Sequence, residues 1–463
     1  MQLSDIVSIS LTITTPPNLQ TGFGTGLILG SSARLSAGVP IQYFTGANAA
    51  AILAAMAAQG FLTTDPEYVA ATAYLNQTPT PGSVGIGVRT STVAQISTVT
   101  VLTETLSHVY TVNIFGQNAS YTAVGGDTTT TVAAALVTAI NALTPPQYQN
   151  VTAANSGAII TITANNAGIA FAISINDAKM SLVQTTPVNG IAQDLLTIVQ
   201  YNTSTVNGNN WVMWSNTGEN DIDIWVGDGF ALTYGKIQLA KNDEANALTA
   251  TDTLINALFT KGQSGMVGTA ITYFSAANGY AQYGDAALMG LFVTQNPGSF
   301  SANLKTLTGI TADAALTETQ ITNLKSKNCN FYSAVGIQPY FINGKMADGN
   351  GIDIYFGLYA FQVLTQIAVL TAMAGFPKTP FDDAGLAAIG QAILGVAATF
   401  AGPAYQFFAP DPANNNKPYQ LTIPPASSFT AAQKQAGNAT GFVFNGHLAG
   451  DALTASITGN VHY

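Results

Sequence analysis

The stretch TDPEYVAATAYLNQTPTPGSVGIG (Thr64–Gly87) contains the clearest fold signal in the first part of the chain. Pro66 suits the first position of a helix, and either Thr64 or Asp65 can cap that helix. Glu67 follows in the first turn, where the helix dipole stabilises a negative charge. The TPTPG turn then ends the helix, and a short strand follows it. Helix, turn and strand in this order predict an α/β fold at the beginning of the chain.

The segments on either side continue this α/β pattern. The glycine-rich joint Gly22–Gly26 leads into a predicted buried strand, Leu27–Gly30. A phosphate-binding loop has its glycines between a strand and a helix, so we interpret GFGTG as a flexible joint. Further along, the sequence predicts two helices and a strand that resume the pattern: Ile191–Gln200, Thr249–Phe259 and Gly268–Phe274.

Residues 90–188 differ in character from both neighbouring segments, because they are rich in Thr and Val. They begin with two predicted strands around a Gly-Gln-Asn turn, and further strands follow a helix. Asp127 or Thr128 can cap that helix. Its apolar positions keep helical spacing at Val132, Leu136, Ile140 and Leu143. Strands, helix and strands predict a small α+β domain that is inserted into a larger one.

The last third of the chain has well-marked helix ends. Thr317 and Gln320 have the spacing of a capping box. Gly357–Ala374 predicts a long apolar helix, and Asp382 or Asp383 can cap the next one. Adjacent carboxylates in front of a helix are better explained as a cap than as a catalytic pair.

These patterns predict a multidomain protein of the α/β and α+β classes, in keeping with its 463 residues. The predicted parts are an N-terminal arm (1–20), a discontinuous α/β domain (21–89 and 189–298), the inserted small α+β domain (90–188), a C-terminal α/β domain (299–440) and a C-terminal strand or arm (441–463).

Both ends of the chain alternate apolar and polar residues, which predicts strands with one buried face. Each strand either pairs within its own subunit or adds to the sheet of a neighbour. The side chains that we expect on the buried faces are Ile9, Leu11 and Ile13 near the start, and Leu453, Ala455, Ile457, Val461 and Tyr463 at the end.

The composition is unusually poor in charge. Charged residues make up 8% of the chain, against roughly 25% in ordinary soluble domains. Arg34 and Arg89 are the only arginines, and the formal net charge is −10. So few cations argue against direct binding to nucleic acid. A surface of uncharged polar residues suits a subunit that packs against its own copies, although a lightly charged monomer is also consistent with this composition.

The acidic run GENDIDIWVGDG contains Glu219, Asp221, Asp223 and Asp228. Clustered carboxylates can bind calcium, but the spacing does not match the twelve-residue calcium loop. Asp221 and Asp223 alternate with isoleucines, so we interpret them as the solvent-facing side of a strand.

No other pattern predicts a catalytic, metal or cofactor site. His108, His447 and His462 lie in three unlike contexts, without cysteine or carboxylate ligands at zinc-binding spacing. The sequence contains no GxSxG, Walker lysine or HExxH motif. We therefore expect a protein that is not an enzyme and needs no cofactor. Cys329 is the only cysteine, so no intrachain disulfide is possible.

We expect neither an export signal nor insertion into a membrane. The start lacks the basic region and unbroken apolar core of a signal peptide. The stretch closest to a membrane span, Phe381–Phe400, contains two aspartates and a glutamine.

The last third of the chain resembles the phage tail sheath family. The matching runs, in order from Phe300, are LKTLTGI, ITNLKSKNCNFY, INGKMADGNGIDIYFGL, FPKTPFDDAGLAAIGQAI, LTIPPASSFTAAQKQAG and FVFNGHLAGDALTASITG. SDIVSISLTIT, LILG and the opening helix also look like the start of that family. The inserted segment is similar to an accessory domain of many tail proteins.

The resemblance implies a subunit that forms stacked hexameric rings around a tail tube and contracts to drive the tube through the host envelope. It places the C-terminal α/β domain against the tube, the inserted domain outside, and the two arms in the sheets of neighbouring subunits. The implied partners are other copies of the chain, the tube protein, and the baseplate and tail terminator proteins. The implied location is the virion, with assembly in the host cytoplasm.

Two other functions remain open from the sequence. One is a different structural subunit of the tail, such as a tube or baseplate component that shares the inserted domain. The other is a carbohydrate-binding surface protein, in which exposed Trp and Tyr side chains of the β-rich insert would bind glycans.

Overall fold

The computed structural model describes residues 23–32, 34–90, 93–144, 150–169, 171–176, 178–186, 190–206, 211–313 and 316–450. These residues form several sheets and many helices, which confirms the mixed α/β and α+β class. The chain divides into two compact units, made of residues 1–87, 199–219 and 228–463 (unit 1) and of residues 88–198 and 220–227 (unit 2). The predicted domain boundaries themselves stay predictions.

Unit 1 contains a sheet of eight strands. In chain order they are β1 (Gly26–Gly30), β2 (Ile41–Thr45), β3 (Ser83–Val88), and then, after the strands of unit 2, β11 (Met213–Asn216), β12 (Ile237–Asn242), β13 (Thr269–Tyr273), β14 (Asn330–Val335) and β15 (Gln338–Ile342). Their spatial order is β15-β14-β13-β12-β11-β1-β3-β2. The run from β1 through β11, β12 and β13 to β14 is parallel.

Every residue of β1, β11, β12 and β13 is buried, as expected for parallel strands covered on both faces. The helices that contact the strands of this sheet include α1 (Ala49–Gln59), α2 (Pro66–Leu75), α7 (Gly284–Val293) and α8 (Glu318–Ser326). Unit 1 also contains α6 (Thr253–Ser264), α9 (Ile352–Ala374) and the second half of α5 (Asp221–Tyr234). The sheet includes β14 and β15, which come from the segment that the sequence assigns to a separate C-terminal domain.

Local sequence rules explain the helix ends. Pro66 is the first residue of α2, and Asp65 is its N-cap residue. The capping box of α8 is confirmed, because Thr317 and Gln320 exchange side chain to backbone hydrogen bonds. Asp382 caps α10 (Asp383–Ala401) by accepting a hydrogen bond from the Gly385 backbone N–H.

The helices α9 and α10 pack against each other and are followed by β16 (Tyr419–Thr422), α11 (Ala431–Gln435) and β17 (Val443–Gly446). Of the helices that the structure describes, α9 and α10 are long and apolar enough to cross a membrane. This is weak evidence for a span, because the core helix of a globular domain passes the same test, and most of α9 is buried inside the protein.

Unit 2 contains antiparallel sheets and helices. Its strands are β4 (Ile96–Val101), β5 (Val109–Ile114), β6 (Gln117–Thr122), β7 (Val151–Ser156), β8 (Ile159–Ala164), β9 (Ile173–Ile175) and β10 (Met180–Thr186); its helices are α3 (Thr129–Asn141) and most of α4 (Ile191–Tyr201). The sheets have the orders β10-β4-β8-β7 and β6-β5-β9. Val132, Leu136 and Ile140 of α3 are buried in the core, as their spacing predicts.

The predicted strand over IDIWV is wrong, because Asp221–Tyr234 forms helix α5. Asn220 caps this helix by accepting a hydrogen bond from the Asp223 backbone N–H. Asp221 and Asp223 lie in the first turn, where the helix dipole favours carboxylates. Alternation over four residues is too short to distinguish a strand from one turn of a helix.

Candidate functional site

The eight residues predicted to lie in inter-subunit arms fall outside the described residues, so their role stays a prediction. They are Ile9, Leu11, Ile13, Leu453, Ala455, Ile457, Val461 and Tyr463. The description ends at residue 450, shortly after β17. The candidate assembly site is therefore the part of unit 1 that immediately precedes the C-terminal segment.

This part is the sheet formed by β16 and β17. The two strands are antiparallel, with Leu421 opposite Phe444, and the sheet has two strands among the described residues. Alternate residues face inward and outward, and Val443 on the outward side is 51% exposed. A sheet of two strands offers backbone N–H and C=O groups along both outer edges.

The inward face of this sheet rests on α9 and α10. Leu421 and Phe444 pack against Val369 and Ile393. Gly390 of α10 allows this close approach, since a Cβ at that position would lie 2.3 Å from Ile423 Cδ1. The sheet is therefore seated on the two longest helices of the unit.

Aromatic rings hold the sheet in place. The Phe444 ring centroid lies 5.0 Å from that of Phe361 and 5.6 Å from that of Phe408. The Tyr419 ring stacks on Phe444 at 6.2 Å. Offset and edge-to-face contacts of this kind stabilise the packing beyond simple burial. The result is a firmly placed pair of strands with an exposed outer face.

The acidic run that suggested calcium is dispersed in the structure. Asp228 pairs with Lys261, and Glu219 Oε2 accepts a hydrogen bond from the Lys241 backbone N–H at 2.9 Å. Asp223 pairs with Arg89. The described residues contain no group of three or more His, Cys, Asp or Glu side chains that could hold a metal ion. The run therefore forms separate polar contacts rather than a calcium loop.

The histidines also lie apart. His447 Nδ1 is 3.2 Å from the Ala409 carbonyl oxygen, and the His108 ring meets the edge of the Tyr110 ring. His462 lies outside the described residues. No two histidines are brought together within the described part of the chain.

Arg89 is the centre of a buried ion-pair group in unit 2. Its guanidinium binds both Asp223 carboxylate oxygens, at 3.1 and 3.2 Å, and one Asp194 oxygen at 3.3 Å. Asp194 also accepts hydrogen bonds from the backbone N–H and the hydroxyl of Thr90. The Arg89 side chain is 9% exposed. These contacts connect three segments that are far apart in the sequence. No local sequence pattern predicts that these segments meet.

Among the described residues of unit 2, the aromatic side chains Phe115 and Tyr121 are partly buried. Its exposed large apolar side chains are aliphatic, for example Leu102, Leu106 and Val124. Tyr110 and Phe171 are buried in the core.

Sequence reasoning missed a set of charged residues inside unit 1. Lys236 is fully buried, and its ammonium donates a hydrogen bond to the Trp211 carbonyl at 2.5 Å. Burial lowers the pKa of Lys236 well below its ordinary value. Lys241 and Asp285 are also buried, and burial raises the pKa of the Asp285 carboxyl. In the sequence, these charged residues stand inside the apolar runs KIQLAKN and YGDAALMGLFV, and this position could have indicated that they are buried.

No protein-family model matches the chain, and no curated protein matches it. Among solved structures, the chain is similar to the crystal structure of the sheath tail protein from Desulfitobacterium hafniense. The two share 10% sequence identity and a TM-score of 0.44, over 96% of this chain and 100% of that one. A structural similarity with this TM-score does not indicate a function, so we infer the function of the chain from its own residues.

Proposed function

We propose that the chain is a structural subunit of a contractile phage tail sheath. The observation that carries the proposal is the ordered sequence resemblance along the last third of the chain. Its runs fall, in the same order, on α8 with β14, on the start of α9, on α10, on β16 with α11, and on β17. The resemblance therefore covers a continuous structural region rather than scattered loops.

In this proposal the sheet of β16 and β17 receives strands from neighbouring subunits. A two-stranded sheet is marginally stable alone and gains from further strands. Within the predicted arms, residues 8–14 and 452–463 have the alternating pattern of such strands, and β17 lies before the second of these segments. Addition of an arm would pair the open edges through main-chain hydrogen bonds, which is β-augmentation.

The same assembly accounts for the sparse charge of the chain. Subunits that pack as stacked hexameric rings around a tail tube need little charge repulsion between them. Contraction would draw its energy from two alternative packings of the same subunits, without a nucleotide or another cofactor. The partners are then further copies of this chain, the tail tube, and the baseplate and terminator proteins of a virion.

The experiment is removal of residues 452–463, followed by sedimentation and negative-stain microscopy. We expect a folded protein with unchanged circular dichroism that no longer forms tubes, because the donated strand is absent. Wild-type protein should form wide tubes, which would also distinguish a sheath subunit from a tube or baseplate component. Abundant normal tubes from the truncated chain would contradict the proposal.

A matched pair of point variants tests the face assignment within the same experiment. Ile457→Asp places a charge on the predicted buried face, whereas Thr458→Asp places it on the solvent face. The first should block assembly and the second should leave most of it. Equal effects of the two variants on sedimentation would refute the assigned faces.

A further inference from the structure

A second site is indicated where the parallel sheet of unit 1 changes direction. Strands β1 and β11 are parallel neighbours. From β1 the chain continues to β2 and β3 on one side of the sheet, and from β11 it continues through β12 and β13 on the other. Ligands of α/β sheets bind at the carboxyl ends of strands at such a switch point.

Buried polar atoms without partners collect at these carboxyl ends. Glu67 Oε1 accepts a hydrogen bond from the Ser32 backbone N–H at 2.8 Å. Glu67 Oε2, Ser32 Oγ, Asn216 Nδ2 and both carboxylate oxygens of Asp285 have no hydrogen-bond partner among the described residues. Glu67, Asn216 and Asp285 are each only 1% exposed. Unpaired buried groups of this kind are costly unless something binds them.

The charges at this place do not balance. The buried cation is Lys241, which is 2% exposed. Its ammonium donates a hydrogen bond to the Tyr280 carbonyl oxygen at 3.2 Å and lies 3.8 Å from the centre of the Tyr283 ring. The carboxylates that act on Lys241 are those of Asp285, Asp243 and the partly buried Glu219, and Glu67 acts with Asp285 on the neighbouring Tyr283. Four carboxylates outnumber the one ammonium, and a divalent cation would reduce this excess of negative charge.

The backbone and the packing hold these groups close together. Tyr283, the residue before α7, has a φ of 56°, a left-handed conformation that is strained for a bulky side chain. Burial, with the charges of Asp285 and Glu67 as smaller causes, raises the pKa of the Tyr283 phenol to about 12. The helices that carry the two carboxylates, α2 and α7, pack against each other and against β1. A Cβ at Gly30 would lie 1.9 Å from Glu67 Oε1, so glycine is required beneath this carboxylate.

We propose that this switch-point cluster binds one hard divalent cation, Ca²⁺ or Mg²⁺. The ligands would be Glu67 Oε2, the Asp285 carboxylate and the Ser32 hydroxyl. Oxygen ligands of this type are those that both ions prefer, and sites with only two carboxylates keep several water ligands. Asn216 Nδ2 would donate to one of these waters. The ion would neutralise the carboxylate charge at the carboxyl ends of the strands, next to the start of α7.

The test uses the full wild-type chain with Tb³⁺ as a luminescent substitute for Ca²⁺. We expect emission sensitised through Tyr280 and Tyr283, displaced by Ca²⁺ or Mg²⁺ but not by Na⁺ at matched ionic strength. The thermal unfolding midpoint should also rise with the divalent cation, because an ion that binds the folded state stabilises it. No sensitised emission and no rise in midpoint in the wild-type chain would overturn the proposal.

Asp285→Asn keeps the side-chain shape and removes one ligand charge, so Tb³⁺ affinity should fall by about tenfold or more. Without the cation this variant should unfold at the same temperature as the wild type or higher, since less uncompensated charge is buried. Glu318→Gln, on the exposed first turn of α8, is the matched control and should bind like the wild type. Unchanged affinity in both Asp285→Asn and Glu67→Gln would overturn the site.

Discussion

Two buried cations, Arg89 in unit 2 and Lys236 in unit 1, are held by different means. In unit 2, Arg89 is matched by two carboxylates, and its planar guanidinium binds Asp223 with two parallel hydrogen bonds. In unit 1, Lys236 has its ammonium on the Trp211 carbonyl and 3.7 Å from the centre of the Trp211 ring. A guanidinium suits a carboxylate pair, whereas a compact ammonium can be held by a carbonyl and an aromatic face. The comparison indicates that Arg89 should depend on its carboxylate partners, whereas Lys236 is held by a carbonyl and an aromatic ring, and burial lowers the pKa of its amine.

The largest expected effect is in unit 2. Arg89→Ala leaves Asp194 and Asp223 buried without their cation, and removing one partner of a buried pair costs about 3–5 kcal/mol of stability. We expect a matching fall in the free energy of unfolding, measured by urea denaturation with circular dichroism. Arg89→Lys should recover only part of it, because an ammonium cannot make the paired hydrogen bonds.

The other arginine provides the control. Arg34 pairs with Asp65 in unit 1, and its side chain is 35% exposed. Exposed pairs contribute little to stability, so Arg34→Ala should destabilise the protein far less than Arg89→Ala. Equal losses for the two arginines would contradict the claim that burial gives the Arg89 pairs their importance.

The pH dependence of stability should identify Lys236. Its pKa is lowered in the folded protein from an ordinary value of 10.5, so the unfolded chain binds one more proton between the two pKa values. Stability linked to this group is therefore present at high pH and is lost as pH falls toward the folded pKa. Above the folded pKa and below 10.5, the wild type should gain up to about 1.4 kcal/mol per pH unit from this residue.

Lys236→Met removes that gain, so the slope of unfolding free energy against pH should be smaller in the variant. Lys434→Met, in the exposed last turn of α11, is the control and should keep the wild-type slope. If Lys236→Met and the wild type have parallel pH profiles, the amine of Lys236 is charged in the folded protein and the comparison fails.

The same contrast explains what the sequence predicts in each unit. In unit 2 the strands alternate buried and exposed residues, as in β4 and β8, so the pattern is visible in the residues themselves. In unit 1 the strand β12 is buried at every position although it contains Lys241 and Asn242. Its polar residues are tolerated only because partners from other elements surround them, which no local pattern predicts.

The candidate sites differ in the same way. The period-2 segments at the chain ends follow from local sequence, and they remain predictions because they lie outside the described residues. The group around Asp285 depends on α2, α7 and the ends of three strands meeting in space. Asp285 lies in the first turn of an apolar helix, so its sequence context alone indicates a helix start and no site.

Helix caps are the feature in which the two units should behave alike, since a capping box acts within one turn. Thr128 caps α3 in unit 2 and Thr317 caps α8 in unit 1, each with a reciprocal partner three residues later. Thr→Ala at either cap should cost about 1 kcal/mol in urea denaturation, because a backbone N–H loses its acceptor. The controls Thr130→Ala and Thr319→Ala each lie two residues beyond the cap and should cost much less. A large loss at one cap only would mean that tertiary contacts, rather than the local hydrogen bonds, determine that helix end.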